Sequence, residues 1–232
     1  MAEIEARRPP GRLDRSSPLS ERAPEVMRLL RETYPDARVA LRFENPLQCL
    51  IAVILSAQST DVKVNEVTEP LFQKYRTAED WVRAPEAQLL QELKPTGFFN
   101  QKTKAVRGAC RMIVEDFGGR VPDTMAELIR LPGVARKTAN IVLWNSYPEK
   151  AMSDPDIGMA VDTHVKRVSG RLGLTEQKDP NKIERDLMMI VPKDQWYGFT
   201  YVLIDHGRAI CKAPIPRCEE CPVNHLCPAS LV

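Results

Sequence analysis

The sequence predicts an all-α protein, and three observations carry that reading. Apolar residues return at spacings of three and four in segment after segment, nothing alternates with period two for the length of a strand, and short turns holding Pro or Gly separate the segments. Taken in order, residues 1–19 are rich in Arg, Pro and Ser without apolar periodicity, so they read as a disordered extension. EVMRLLRETY (25–34) sets Val26, Leu29 and Leu30 on one helical face and is stopped by Pro35. PLQCLIAVILSAQ (46–58) is apolar almost all round, the pattern of a buried central helix. Asp61 is placed to cap the next helix, whose Val64 and Val67 lead to Pro70, Leu71 and Phe72. In QKTKAVRGACRMIVEDF (101–117) Val106, Cys110, Ile113 and Val114 turn inward, and Gly118 with Gly119 ends the run. Thr124 and Glu127 form a capping box for a short helix ending near Arg130. LPGV (131–134) then breaks the chain, and ARKTAN (135–140) restarts a helix with Lys137 in its first turn. Asp162, directly before THVKRV, is a good N-cap for a later helix.

A chain of 232 residues with 43% hydrophobic and 28% charged residues has the material for one or two packed domains. The run CLIAVIL (49–55) is too short to span a membrane, and no apolar segment near the start reads as a secretory signal. The expected compartment is therefore the cytoplasm, in association with the nucleoid. Net charge is only +2, but its distribution is uneven. Lys94, Lys102, Lys104, Arg107 and Arg111 fall in one stretch without an acid, and Arg130, Arg136 and Lys137 fall in another. Such segments fit one cationic face for a polyanion, with ordinary solvated helix faces as the rival.

Cys211, Cys218, Cys221 and Cys227 give C-x6-C-x2-C-x5-C near the end of the chain. Four thiols this close, in a chain without a secretory signal, argue for a metal centre over disulfides. A structural zinc takes the same four ligands, but such sites favour two tight pairs, and only one occurs here. The wider loops favour a four-iron cubane, with zinc left open. Cys49 and Cys110 sit in apolar helices and read as core thiols.

LPGVARKTAN (131–140), VDTHVKR (161–167) and the cysteine tail together resemble the endonuclease III family, bifunctional DNA glycosylases of the helix–hairpin–helix superfamily. LSAQSTD (55–61) and GFFNQK (97–102) match further motifs, so the likeness covers about residues 25–230. The resemblance implies a six-helix barrel domain at 40–149, with a helix–hairpin–helix at about 124–146. A second domain, from 20–39 and 150–232, would carry a [4Fe–4S] cluster on the four cysteines. It implies as partner double-stranded DNA holding damaged pyrimidines or abasic sites, bound by a monomer. Lys137 would attack the sugar C1′ of a flipped nucleotide, form a Schiff base, and cut the strand 3′ by β-elimination. Asp162 would be the catalytic carboxylate. His164 reads as a structural hydrogen-bonding residue. Gln58 and Phe98 would fill the gap left by the flipped base, the first by hydrogen bonding, the second as an apolar wedge, while Phe99 packs inward. Asn100, Lys102, Gly133, Ala135, Arg136, Lys212 and Arg217 would complete the DNA contacts.

The chain departs from the family pattern at four places. Ala135 stands for the second hairpin glycine, where a left-handed backbone would be strained. Phe98 stands for a leucine, the stretch 147–160 is longer and acidic, and KAPIPR (212–217) is less basic. Adenine-mismatch and thymine- or uracil-mismatch glycosylases share the fold but differ at the position of Lys137. A non-catalytic DNA-binding iron–sulfur protein would be expected to lack Lys137 or Asp162.

Overall fold

Twelve α-helices and no strand occupy residues 13–232, which are those the computed structural model describes. In chain order they are α1 (Leu19–Thr33), α2 (Pro46–Leu55), α3 (Asp61–Lys74), α4 (Ala78–Arg83), α5 (Glu86–Leu93), α6 (Phe99–Phe117), α7 (Met125–Leu128), α8 (Arg136–Ser146), α9 (Pro148–Ser153), α10 (Thr163–Arg171), α11 (Pro180–Ile190) and α12 (Trp196–Ala209). None of them is long and apolar enough to cross a membrane. The helices divide into two units. Arg38–Ala160 holds α2 to α9, and the described residues up to Ala37 join Val161–Val232 to hold α1 and α10 to α12.

In the Arg38–Ala160 unit, α2 is the centre. Asn45 starts it by accepting the Gln48 N–H (3.0 Å), Pro46 fits the first helical position, and every residue from Gln48 to Leu55 is buried. A helix buried on all sides needs neighbours all round, and α3, α6 and α8 pack against it. Trp81, Leu89, Leu93, Val106, Cys110, Ile113, Leu128 and Leu143 fill the remaining core. Thr60, not Asp61, caps α3: its hydroxyl accepts the Lys63 N–H (3.2 Å). Asp61 is instead the first helical residue, where its charge complements the helix dipole. The Thr124 cap forms, but α7 ends at Leu128 because the chain then turns into the hairpin.

The boundary expected at 149/150 falls at Val161 instead. The reason is local. Trp144 donates to the Gly158 carbonyl (2.9 Å), and the Asn140 side-chain oxygen accepts the Gly158 N–H (2.9 Å). The acidic stretch 147–160 is thus an ordered part of this unit: α9 packs on α8, and Asp154 accepts the Met125 N–H (2.8 Å) at the start of α7.

In the other unit, α12 packs on both α10 and α1, burying Phe199, Val202 and Leu203 among Val165, Val168, Val26 and Leu30. The expected disordered extension at 1–19 is corrected over its last part, while 1–12 lie outside the described residues. Asp14 accepts the Ser16 N–H (2.8 Å) in a side-chain-closed turn, Ser17 is buried, and α1 already begins at Leu19.

Leu50→Ala should lower unfolding free energy by about 2–5 kcal/mol, because a fully buried leucine leaves a cavity on α2. Asn45→Ala should cost about 1 kcal/mol through the lost cap. Denaturant titration of both variants measures this, and a smaller loss for Leu50→Ala than for Asn45→Ala would contradict the central place of α2.

Candidate nucleic-acid interface and cysteine loop

The hairpin between α7 and α8 alternates in burial. Leu131 and Val134 are buried, while Pro132, Gly133 and Ala135 are exposed. Gly133 has φ +80°, and a Cβ there would lie 2.6 Å from the Ala105 Cβ on α6, so glycine is required twice over. Ala135 is extended, with φ −92° and ψ 170°, so the strain expected from its methyl does not arise. It offers no side-chain cap to α8. The N-terminus of α8 therefore presents backbone N–H groups on an exposed turn, the arrangement that binds a phosphate. Lys137 is exposed in that first turn and Arg136 is half-buried.

Two residues other than glycine have positive φ among the described residues, Gln58 (+52°) and Phe98 (+48°). A left-handed backbone at such residues costs on the order of 1–3 kcal/mol. They are the same two residues expected to enter DNA. Both are exposed, and Phe98 stands 57% in solvent at the start of α6, while Phe99 is half-buried. Asn100 is exposed beside them.

Lys102 corrects the expectation of a surface DNA contact. It is buried, and its ammonium donates to the Thr96 carbonyl (2.7 Å). Burial holds its pKa below the ordinary lysine value. Asn140 and Trp144 are structural residues that the helical pattern alone did not single out.

In the other unit, Asp162 is half-buried and caps α10, one carboxylate oxygen accepting the Val165 N–H (2.8 Å). His164 is a hydrogen-bonding residue, as expected. Its Nδ1 lies 3.1 Å from the Arg167 guanidinium, which makes Nδ1 the acceptor, and burial is the main cause that lowers its pKa.

Cys211, Cys218, Cys221 and Cys227 line one cavity together with Arg171 and His206. Arg171 donates to the Lys212 and Pro214 carbonyls (2.7 and 2.9 Å) and reaches Cys211 Sγ (3.5 Å). Arg22, buried, donates to the Leu172 and Leu226 carbonyls, and its Nε is buried without a partner. His206 sits with Nε2 3.6 Å from Cys221 Sγ and Nδ1 3.1 Å from the Tyr34 hydroxyl. Burial pushes the Cys221 thiol up to about 11, a cost that a bound cation reverses. The core thiols Cys49 and Cys110 are pushed up to about 11 and about 12, mainly by burial. Lys212 is exposed. Arg217 is exposed too, but its guanidinium is engaged by the Ala209 carbonyl (2.6 Å) and Glu220 (2.9 Å).

Known proteins resemble this chain in sequence and fold. The endonuclease III of Synechocystis sp. is 48% identical over 210 residues, covering 90% of this chain and 93% of its own. A solved non-covalent endonuclease III–DNA complex matches with a TM-score of 0.86 at 38% identity, covering 92% of this chain and 97% of that one. A trapped endonuclease III–DNA covalent intermediate matches with the same TM-score and identity, covering 92% and 98%. The family model for HhH-GPD superfamily base excision DNA repair proteins spans residues 51–193, and with it the chain belongs to that superfamily.

Proposed function

We propose that this chain excises oxidised pyrimidines from duplex DNA as a monomer and cuts the strand at the resulting abasic site. The observation that carries the reading is a lysine, Lys137, exposed in the first turn of a helix whose N-terminus no side chain caps. The backbone N–H groups of the hairpin grip a phosphate beside the lesion. Phe98 and Gln58 enter the duplex, offsetting the few kcal/mol that extruding a nucleotide costs. Lys137 gives up a proton and its amine attacks C1′, the C1′–N bond breaks, and the base departs with the electron pair. The ring opens to a Schiff base, loss of a C2′ proton drives out the 3′ phosphate, and water releases the lysine. Asp162 accepts the lysine proton or stabilises positive charge developing at the sugar, while keeping its cap. The trapped covalent complex of the structural neighbour supports a covalent route for this chain.

The four cysteines fit a [4Fe–4S] cluster. They surround one shared cavity, and the wide C-x6-C and C-x5-C loops suit the corners of a cubane. When bound, the cluster would tie the last loop together and set its face toward DNA. Arg22 and Arg171 would offset the negative charge of four thiolates.

Borohydride should trap a covalent complex of the wild-type chain with abasic DNA, and Lys137→Ala should abolish it with DNA affinity largely kept. Undiminished trapping in that variant would move the nucleophile elsewhere. Asp162→Asn keeps the cap and removes the charge, so the excision rate should fall by about 100-fold or more with near-wild-type melting. Equal loss of melting temperature and activity would leave Asp162 only a cap. Anaerobically purified protein should hold iron and sulfide near about four each per chain. Stoichiometric zinc without sulfide would contradict the cluster.

A further inference from the structure

Lys102 is the one buried lysine among the described residues, only 4% exposed, and it lies in a segment whose basic charge reads as a DNA contact. Burying an ammonium is costly unless the position gains something that an apolar side chain would not supply. What it gains here is a clamp. The Lys102 ammonium donates to the Thr96 carbonyl (2.7 Å), and the Lys102 backbone N–H donates to the Phe98 carbonyl (3.1 Å). One residue therefore fixes both ends of the turn 96–98. Thr96 is itself held, its hydroxyl donating to the Leu93 carbonyl (2.8 Å). Between these fixed points lie the two unusual backbones. Gly97 has φ +69° and ψ 160°, a region only glycine occupies easily, and Phe98 has φ +48° and ψ 30°.

We propose that Lys102 is a positioning residue for DNA insertion: by clamping the Thr96 carbonyl and the start of α6, it holds Phe98 exposed in the strained conformation from which it enters the duplex. A left-handed aromatic residue persists only where its surroundings over-determine it, and the clamp is that surrounding. Without it, Phe98 relaxes to an ordinary backbone and must be reordered in every encounter, which slows extrusion of a paired nucleotide. An abasic site is extruded easily and depends on the wedge much less. The proposal rests on the wedge reading of Phe98 given above.

Single-turnover rates on a duplex with a paired oxidised thymine and on one with a preformed abasic site test it, in the wild-type and Phe98→Ala backgrounds. Lys102→Met keeps the length of the stem and removes the donor. It should slow excision of the paired lesion by about tenfold, slow abasic cleavage by much less, and add little once Phe98 is alanine. Fluorescence of 2-aminopurine beside the lesion should show the same delay, at the extrusion step. Gly97→Ala disturbs the same turn where a Cβ meets only open space, so it should reproduce the pattern even where Lys102→Met folds poorly. Equal slowing on both substrates, or losses from Lys102→Met and Phe98→Ala that multiply in full, would overturn the positioning role. If Phe98→Ala itself leaves the paired lesion unaffected, the wedge reading fails. If Phe98→Ala slows excision and Lys102→Met does not, the wedge stands and the clamp falls.

Discussion

The turn at Gly133 lies so close to α6 that a single methyl would overlap the Ala105 side chain, and the interface is built outward from that contact. Small residues on α6 let the turn descend: Gly108 lies against Pro132, where an added Cβ would come within 3.1 Å of the ring. Leu131 and Val134 are thereby sunk into the core, and the residues between and after them are left on the surface. With its entry fixed so tightly, α8 needs no side-chain cap for its direction. Its N-terminus carries no side-chain cap, and an uncapped helix N-terminus is a ready anion site. A cation there is disfavoured by about 0.3–1 kcal/mol until a phosphate arrives.

The two left-handed residues show the same economy at a second place. Gln58 follows α2, the most completely buried helix of its unit, and Phe98 precedes α6, the longest. Strain of about 1–3 kcal/mol at each is a large share of the 5–15 kcal/mol by which domains are stable. It persists because rigid, well-packed helices fix the ends of each turn. Loops of their own accord would relax.

Much of this was legible in the sequence, and the parts that were not share a cause. The apolar run of α2, the Thr124 cap and the cysteine spacing are local patterns, and local patterns survive into structure. Lys102 was misread because its charge argued for the surface, whereas its burial depends on the Thr96 carbonyl six residues back, brought close by a turn that no periodicity reports. The expected strain at Ala135 was wrong for a related reason: the position of a glycine in a relative's motif does not fix φ here, where the chain is already extended. The boundary at Val161 was set by Asn140 and Trp144 gripping Gly158, contacts at a sequence distance that pattern reading does not reach.

The cysteine loop poses the opposite problem, since it has almost no core of its own. Between Cys211 and Cys227, Val223 and Leu226 are the fully buried side chains, too few to order a segment with three prolines and no α-helix. Arginines supply what apolar area does not. Arg167 donates to the Cys211 carbonyl (3.0 Å), Arg171 to Lys212 and Pro214, and Arg22 to Leu226. Guanidinium groups suit this task because their donors fan out in a fixed plane and reach several carbonyls at once. Yet burying Arg22 with Nε unpartnered would be a poor bargain around neutral thiols. Around four thiolates the same positive charge would be stabilising, and a centre bound there would staple the loop from within as the arginines do from without. The arrangement makes sense as the housing of an anionic centre.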